Sequence, residues 1–327
     1  MLDFSYNSIF SKNYLIFAIL LNSFLIVDLK RAIMENWILL GVLSPLFYAL
    51  VNVLDKFVLG KRIKNVYAFG AMMGFFYFLI AGAVIYAVGV PSLSLFQLLF
   101  ISFLGLLSGT IHLLFFRIMR HNEISRVVGI MYAYPIFVAL ISVLVLGESI
   151  PLTKYIGVGL AAVGALLLAT QKHHLKWHLC SIFWDVAFIA VLLAVIDVSD
   201  KYILQFVRPL EFYPVYLSVS ALMLVAPLVR RRVRVEVVRH LSSAPLVGLI
   251  AVVGFGGTMT FLMAASEGPI AIVSSLATLQ PLFVLVMALL LSVFLPRFLK
   301  ETWNHDAMLH KLLGVLCIIA GVVVLVV

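Results

Sequence analysis

Ten long apolar stretches, at about residues 37–59, 66–88, 95–117, 127–146, 155–171, 182–205, 212–230, 244–264, 270–295 and 311–327, restrict what this chain can become. Most reach the roughly 20 residues that a helix needs to cross a hydrocarbon core about 30 Å thick. Helices are the open-ended solution in lipid, because each backbone donor and acceptor must find its partner within the segment. A water-soluble domain could not hide this content: 64% of the chain is hydrophobic and 11% charged, whereas a soluble surface stays largely polar. The sequence therefore predicts an all-α membrane protein of ten transmembrane helices, multi-pass in a plasma or inner membrane, with the lipid bilayer as its first partner. The net charge of +9 does not indicate nucleic acid, since the basic residues sit in short loops between the spans.

Residues 1–33 stand apart. Tyr14 to Val27 is apolar but short of a full span, and Asn22 interrupts it. The segment reads as an eleventh helix, a signal-like segment or a mis-assigned start; Met34 opens MENWILLGVL, a natural beginning for the first full span.

The chain repeats itself. Asn52, Asp55, Lys56 and Leu59 match Asp197, Asp200, Lys201 and Leu204, 145 residues later. Pro135 matches Pro281, and Gly157 with Gly164 matches Gly314 with Gly321. The order is kept, which divides the chain into a first repeat over 34–172 and a second over 182–327. Five spans is an odd number, so the second repeat enters from the opposite side, an inverted arrangement found in secondary transporters. Charge supports this. The loops after spans one, three, five and seven carry Lys61, Arg62 and Lys64, then Arg117, Arg120 and Arg126, then Lys172 and Lys176, then the run RRRVRVEVVRH from Arg230 to His240. Those loops are predicted cytoplasmic.

The stretch Glu123-Ile-Ser-Arg-Val-Val, followed by Pro135, Leu146-Gly147-Glu148, Gly157 and Gly164, resembles the EamA-type branch of the drug/metabolite transporter superfamily. The second half echoes it with Glu267-Gly-Pro-Ile-Ala-Ile-Val-Ser, Pro281, Glu301, Gly314 and Gly321. The resemblance spans about residues 36–327. It implies two EamA domains and gradient-driven transport of a metabolite, without naming the solute. The second repeat departs from the pattern by an insertion, Leu295–Lys311, ahead of its last helix. The charge-derived orientation also opposes the cytoplasmic ends usual in that family.

Candidate site residues are those whose presence in lipid is costly. An ionisable group at mid-membrane costs about 2.5–3.5 kcal/mol unless it has a partner or a watery cavity. Asp197 lies deepest in span six, with Asp200 and Lys201 on the same helical face; they could bind a cationic solute or a proton, or form a packing ion pair. Asn52, Asp55 and Lys56 are their counterparts in span one. His112 could relay protons or bond across helices. Arg126 is the best placed of three arginines for an anionic solute, although such runs are commonly topology signals. Pro135 and Pro281 predict kinks that free a backbone carbonyl, with Tyr132, Tyr134, Thr278 and Gln280 offering polar groups at the same depth. Glu123 and Glu267 could cap the helices they precede. Gly105, Gly109, Gly254, Gly256 and Gly257 predict close packing of spans three and eight. Trp37, Trp177, Trp184 and Trp303 read as interfacial anchors.

No nucleophile elbow, Walker loop or HExxH motif is present, and Cys180 and Cys317 make no metal cluster. The expectation is a non-enzyme without cofactor or metal: a secondary active transporter, read as an exporter, that moves a small-molecule substrate by alternating access, coupled to protons or another ion. The cavity is expected between spans one, three, four, six, eight and nine. The alternative is a non-transporting scaffold or lipid-pathway accessory protein, which predicts paired charges and a solid core.

Overall fold

A computed structural model describes residues 37–122, 124–169, 181–294 and 305–326. The expectations for residues 1–33, Glu123, Lys172, Lys176, Trp177, Cys180, Glu301 and Trp303 lie outside the described residues, as does the side chain of Arg126. The described chain is all-helical. It forms α1 (Trp37–Phe57), α2 (Val66–Val88), α3 (Leu95–His121), α4 (Ile124–Met131), α5 (Pro135–Leu146), α6 (Leu152–Ala169) and α7 (Ser181–Leu204). The order continues with α8 (Pro209–Val225), α9 (Arg231–Arg239), α10 (Ala244–Glu267), α11 (Ile270–Leu276), α12 (Leu279–Phe294) and α13 (His305–Val326). Seven spans among the described residues are long and apolar enough to cross a membrane: Trp37–Arg62, Val66–Val88, Leu95–His121, Val127–Leu146, Pro209–Val229, Leu241–Glu267 and Ile270–Met287. Leu152–Leu167 and Leu313–Val326 are shorter apolar helices. Large apolar side chains such as Leu99, Phe103 and Leu144 lie on the outside, as a lipid-facing surface requires. This is a multi-pass membrane protein.

Local chemistry sets the helix ends. Asn65 caps α2 by accepting from the Tyr67 and Ala68 amides at 3.0 and 3.3 Å. Ser94 and Gln97 form a reciprocal capping box at the start of α3. Gly147 ends α5 at φ 65°, a left-handed turn that an L side chain rarely tolerates.

Spans four and nine are each broken at their proline. Pro135 has no N–H for the Met131 carbonyl, and the Tyr134 amide takes that carbonyl instead at 3.2 Å. Pro281 likewise cannot reach the Ala277 carbonyl, which accepts from the Gln280 amide at 2.9 Å. The carbonyl that each proline frees is thus engaged by the residue before it. The break tightens into a 3-10 turn and does not leave that carbonyl idle for a solute.

The lysines after the repeated aspartates share one task. Lys56 donates to the carbonyls of Met119 and Asn122 at 2.7 and 2.6 Å, at the C-terminal end of α3. Lys201 donates to Ala265, Ser266 and Gly268 carbonyls at 2.8, 3.4 and 3.1 Å, at the C-terminal end of α10. Both neutralise the negative end of a helix dipole and satisfy carbonyls that have no intrahelical donor. Lys201→Met is therefore expected to lower stability by about 2–3 kcal/mol, read as a fall in the thermal midpoint of the purified protein; an unchanged midpoint refutes the capping role.

Glycine lets helices touch. α3 packs on α8, span seven, through Gly105 and Gly109: a Cβ at Gly105 would lie 2.6 Å from the Tyr216 oxygen, and one at Gly109 2.7 Å from the Ser220 oxygen. Among Gly254, Gly256 and Gly257 of span eight the close approach is at Gly257, where a Cβ would lie 3.2 Å from the Phe47 Cβ. Gly254 and Gly256 meet only side-chain atoms of Val51 and Phe47, at 3.7–3.8 Å. α6 packs on α13 with Gly157 against the Gly321 carbonyl and Gly164 against the Gly314 carbonyl. The pairing order reverses along the two helices, so they run antiparallel.

Trp184 is exposed near the start of α7, and Trp37, at the start of α1, lies against Gly268, where an added Cβ would lie 2.5 Å from its ring. One sequence expectation is corrected. The charged run after span seven is not a loop. Residues Arg231–Arg239 form α9, whose Val233 is buried while Val235 and Val238 remain exposed. Arg234 ties its start by donating to the Leu228 and Val229 carbonyls at 2.9 and 3.1 Å.

Candidate functional site

Polar residues at helical spacing converge on one cavity. On α1, Ser44, Tyr48, Asn52 and Asp55 follow at intervals of four, four and three residues, which keeps them on one face. α7 repeats the device with Leu193, Ile196, Asp197 and Asp200, and α8 with Tyr213, Tyr216, Leu217 and Ser220. Ser108 and His112 come from α3, Met73 and Tyr77 from α2, and Gly254 and Thr258 from α10. The two proline breaks complete the wall with Tyr132, Tyr134, Ala277 and Gln280. The cavity volume is about 190 Å³, below the roughly 300 Å³ of ordinary ligand pockets. Spans two and seven contribute in addition to those expected, while α6 and α13 stay out.

Asp197 is the organised carboxylate. Its Oδ2 accepts from the Tyr134 hydroxyl at 2.8 Å and from the Ser274 hydroxyl at 2.6 Å. The two donors come from different broken spans, Tyr134 from the first proline break and Ser274 from α11. Asp197 thus ties both broken spans to α7. Asp55, Asp200, Asn52 and Gln280 are also buried. Among the described residues, Asp55 Oδ1, Asp200 Oδ1, Asn52 Nδ2 and Gln280 Oε1 have no hydrogen-bond partner in the protein. A buried polar group left unpaired costs about 1–3 kcal/mol. The wall therefore offers three acceptor oxygens and one amide donor that the fold itself does not consume.

His112 donates from Nδ1 to the Ser108 carbonyl at 2.9 Å. A carbonyl can only accept, so Nδ1 carries the hydrogen and Nε2 is the atom left to exchange a proton. Tyr77 and Phe116 pack edge-on against its ring at 6.1 and 5.9 Å between centroids. Tyr48 and Thr258 lie 2.6 Å apart and join α1 to α10 across the cavity wall.

Of the residues singled out by sequence, Asn52, Asp55, His112, Tyr132, Tyr134, Asp197, Asp200 and Gln280 line the cavity. Lys201 does not: its ammonium is held by three carbonyls, and no ion pair joins it to Asp197 or Asp200. Thr278 is fully buried and donates to the Ser275 carbonyl at 2.7 Å, outside the lining. Arg126 lies on α4. Glu267 ends α10 and leaves the start of α11 to Glu148, whose Oε1 accepts from the Ile270 amide at 3.1 Å. Sequence reasoning missed Ser44, Tyr48, Tyr213, Tyr216 and Ser274. Their spacing from Asp55 and within α8 carried a signal, but a helix with lipid on one side shows no contrast between an apolar core and a polar surface to expose it.

Comparison with known proteins adds the following. Residues 35–170 match the EamA-like transporter family. An uncharacterized transporter from the cobO 3' region of a Sinorhizobium species is 38% identical over 71 residues, which are 22% of this chain and 50% of that protein. The chain thus matches about half the length of that curated relative. A solved structure, titled only as the crystal structure of a protein, is similar at a TM-score of 0.60 and 16% identity, covering 88% of this chain and 98% of its own. That likeness shows a shared fold.

Proposed function

We propose that this chain, whose residues 35–170 match the EamA-like transporter family, is a secondary active carrier of a small metabolite bearing an ammonium group. The observation that carries this is the convergence of Asp55 from the first half with Asp197 and Asp200 from the second on one cavity whose lining holds no lysine or arginine. Carboxylates with unspent acceptors favour a cationic solute or a proton, and the tyrosines of the wall can stack on an ammonium. Solute and proton compete for the same carboxylates, which couples their movement.

Ten helices in two inverted repeats would give such a carrier its two alternating states. Three pairings support that architecture. Lys56 caps Met119 and Asn122 while Lys201, 145 residues on, caps Ala265 and Gly268, each 146 residues beyond its counterpart. Gly157 meets Gly321 while Gly164 meets Gly314, the antiparallel contact expected of equivalent helices about a two-fold axis in the membrane plane. The two proline breaks satisfy their carbonyls in the same way. A non-transporting scaffold predicts a solid core with its charges paired, which the orphan oxygens of Asp55 and Asp200 do not favour.

Reconstituted vesicles with an imposed pH gradient test the reading. Pooled amines, amino acids, sugars and nucleosides are offered, and uptake is expected from the amine-bearing pools alone. Uptake of neutral or anionic solutes refutes the substrate class; no flux from folded protein in any pool favours the scaffold. The direction, expected outward from the sequence, is read from vesicles sorted by orientation.

A further inference from the structure

A second cavity, of about 1280 Å³, lies away from the first, between the start of α2, the last three turns of α3 and α9. Its rim carries Lys64, Arg117, Arg120, Arg231 and Arg232, together with His121. The single carboxylate in its lining, Glu236, is engaged by Arg239 at 2.7 Å. Among the described residues none of the five lysines and arginines has an ion-pair partner. Five like charges brought together by three separate segments repel one another, and the fold keeps them together without neutralising them.

The cavity continues from this rim along α3 to Thr110, past Leu113 and Leu114. Seven residues of helix separate Thr110 from Arg117, the innermost rim arginine on α3, about 10 Å, which is about two thirds of one leaflet of a hydrocarbon core about 30 Å thick. The far wall is Tyr67 and Val235, both partly exposed. Arg230 lies 6.0 Å above the Tyr67 ring and fastens the entry of α9 to α2. A cationic rim at the end of the spans, opening onto an apolar wall that reaches about 10 Å into one leaflet, has the polarity profile of the headgroup and upper acyl chain of a phospholipid.

We propose that this groove binds an anionic phospholipid, with the phosphate held by Arg117, Arg120, Arg231 and Arg232 and an acyl chain lying along Leu113 and Leu114. The charge matches a negatively charged headgroup, and basic pockets of this kind between membrane helices hold such headgroups. A free phosphate ester would use the rim but leave the apolar wall uncovered. The proposal rests on the membrane reading of the helices and not on the transport activity.

Native mass spectrometry of the purified full-length protein, offered equal phosphatidylglycerol and phosphatidylcholine of matched chains, tests it. Phosphatidylglycerol is expected to be retained at least about tenfold more. Each charge removed costs about fivefold in affinity, so Arg231→Gln/Arg232→Gln and Arg117→Gln/Arg120→Gln should each lose about 25-fold. Arg208→Gln, at the other end of α8, should lose nothing. Two double variants on different helices keep the test valid if one of them fails to fold. Equal retention of both lipids, or a preference untouched by either double variant, overturns the proposal and leaves the arginines as topology signals. Displacement of bound lipid by millimolar glycerol phosphate also overturns it, in favour of a soluble anion.

Discussion

Asp197→Asn is expected to cut gradient-driven flux by about 10- to 100-fold while the protein stays folded. The substitution preserves shape and an acceptor oxygen, so the Tyr134 and Ser274 hydroxyls, now 2.8 and 2.6 Å from Oδ2, can still donate to the amide. The stability change should stay within about 1 kcal/mol. What the amide loses is the charge and the capacity to take up a proton. A charge-assisted hydrogen bond contributes about 1.5–3 kcal/mol. Losing that interaction with the moving solute corresponds to about one to two orders of magnitude in rate. Tyr134→Phe removes one of the two hydroxyls that hold the carboxylate and should fall between parent and Asp197→Asn. Asp55→Asn and Asp200→Asn separate a shared role from a private one: loss in all three means that the carboxylates act as a set. Flux in Asp197→Asn within twofold of the parent, in protein with an unchanged thermal midpoint, removes Asp197 from the mechanism.

The largest structural effect is expected at Gly105. A Cβ there would stand 2.6 Å from the Tyr216 carbonyl oxygen and 3.0 Å from the Val219 Cβ. The first is backbone and cannot swing aside, so α8 must retreat as a unit. Overpacking of this kind costs about 1–3 kcal/mol for small groups. Gly105→Ala should fall in that range, and Gly105→Leu should leave little folded protein after extraction. The same displacement carries Tyr216 and Ser220 away from the cavity, so surviving Gly105→Ala protein should also transport poorly. Gly254→Ala is the matched control. Its nearest atom is Val51 Cγ2 at 3.8 Å, and its stability should change by no more than about 0.5 kcal/mol for contacts of this kind. Equal midpoints for Gly105→Ala and Gly254→Ala would show that α3 and α8 are not held by backbone contact.

The paired motifs show where sequence reading succeeded and where it stopped. Asn52–Asp55–Lys56 and Asp197–Asp200–Lys201 were visible as a repeat, yet the sequence placed aspartate and lysine together as one ionic unit. In the fold they part. The aspartates turn into the cavity, and the lysines, one residue further round the helix, reach the C-terminal carbonyls of α3 and α10. Adjacent residues on a helix point about 100° apart, and only the neighbours packed on each face decide which partner each one meets. The prolines were legible for a similar reason and to a similar limit. A missing N–H guarantees a break, but not that Tyr134 and Gln280 would take up the freed carbonyls.

The sequence by itself determined the solvent of this protein, its helical class and its internal repeat, because length, hydropathy and the absence of a backbone donor at proline are properties of single segments. The tertiary structure alone decided which polar groups share a cavity, which glycines meet backbone, and that five scattered basic residues form one groove. Those are properties of pairs of segments far apart in the chain. In a helix surrounded by lipid on one side and apolar neighbours on the other, hydrophobic periodicity no longer marks the inward face.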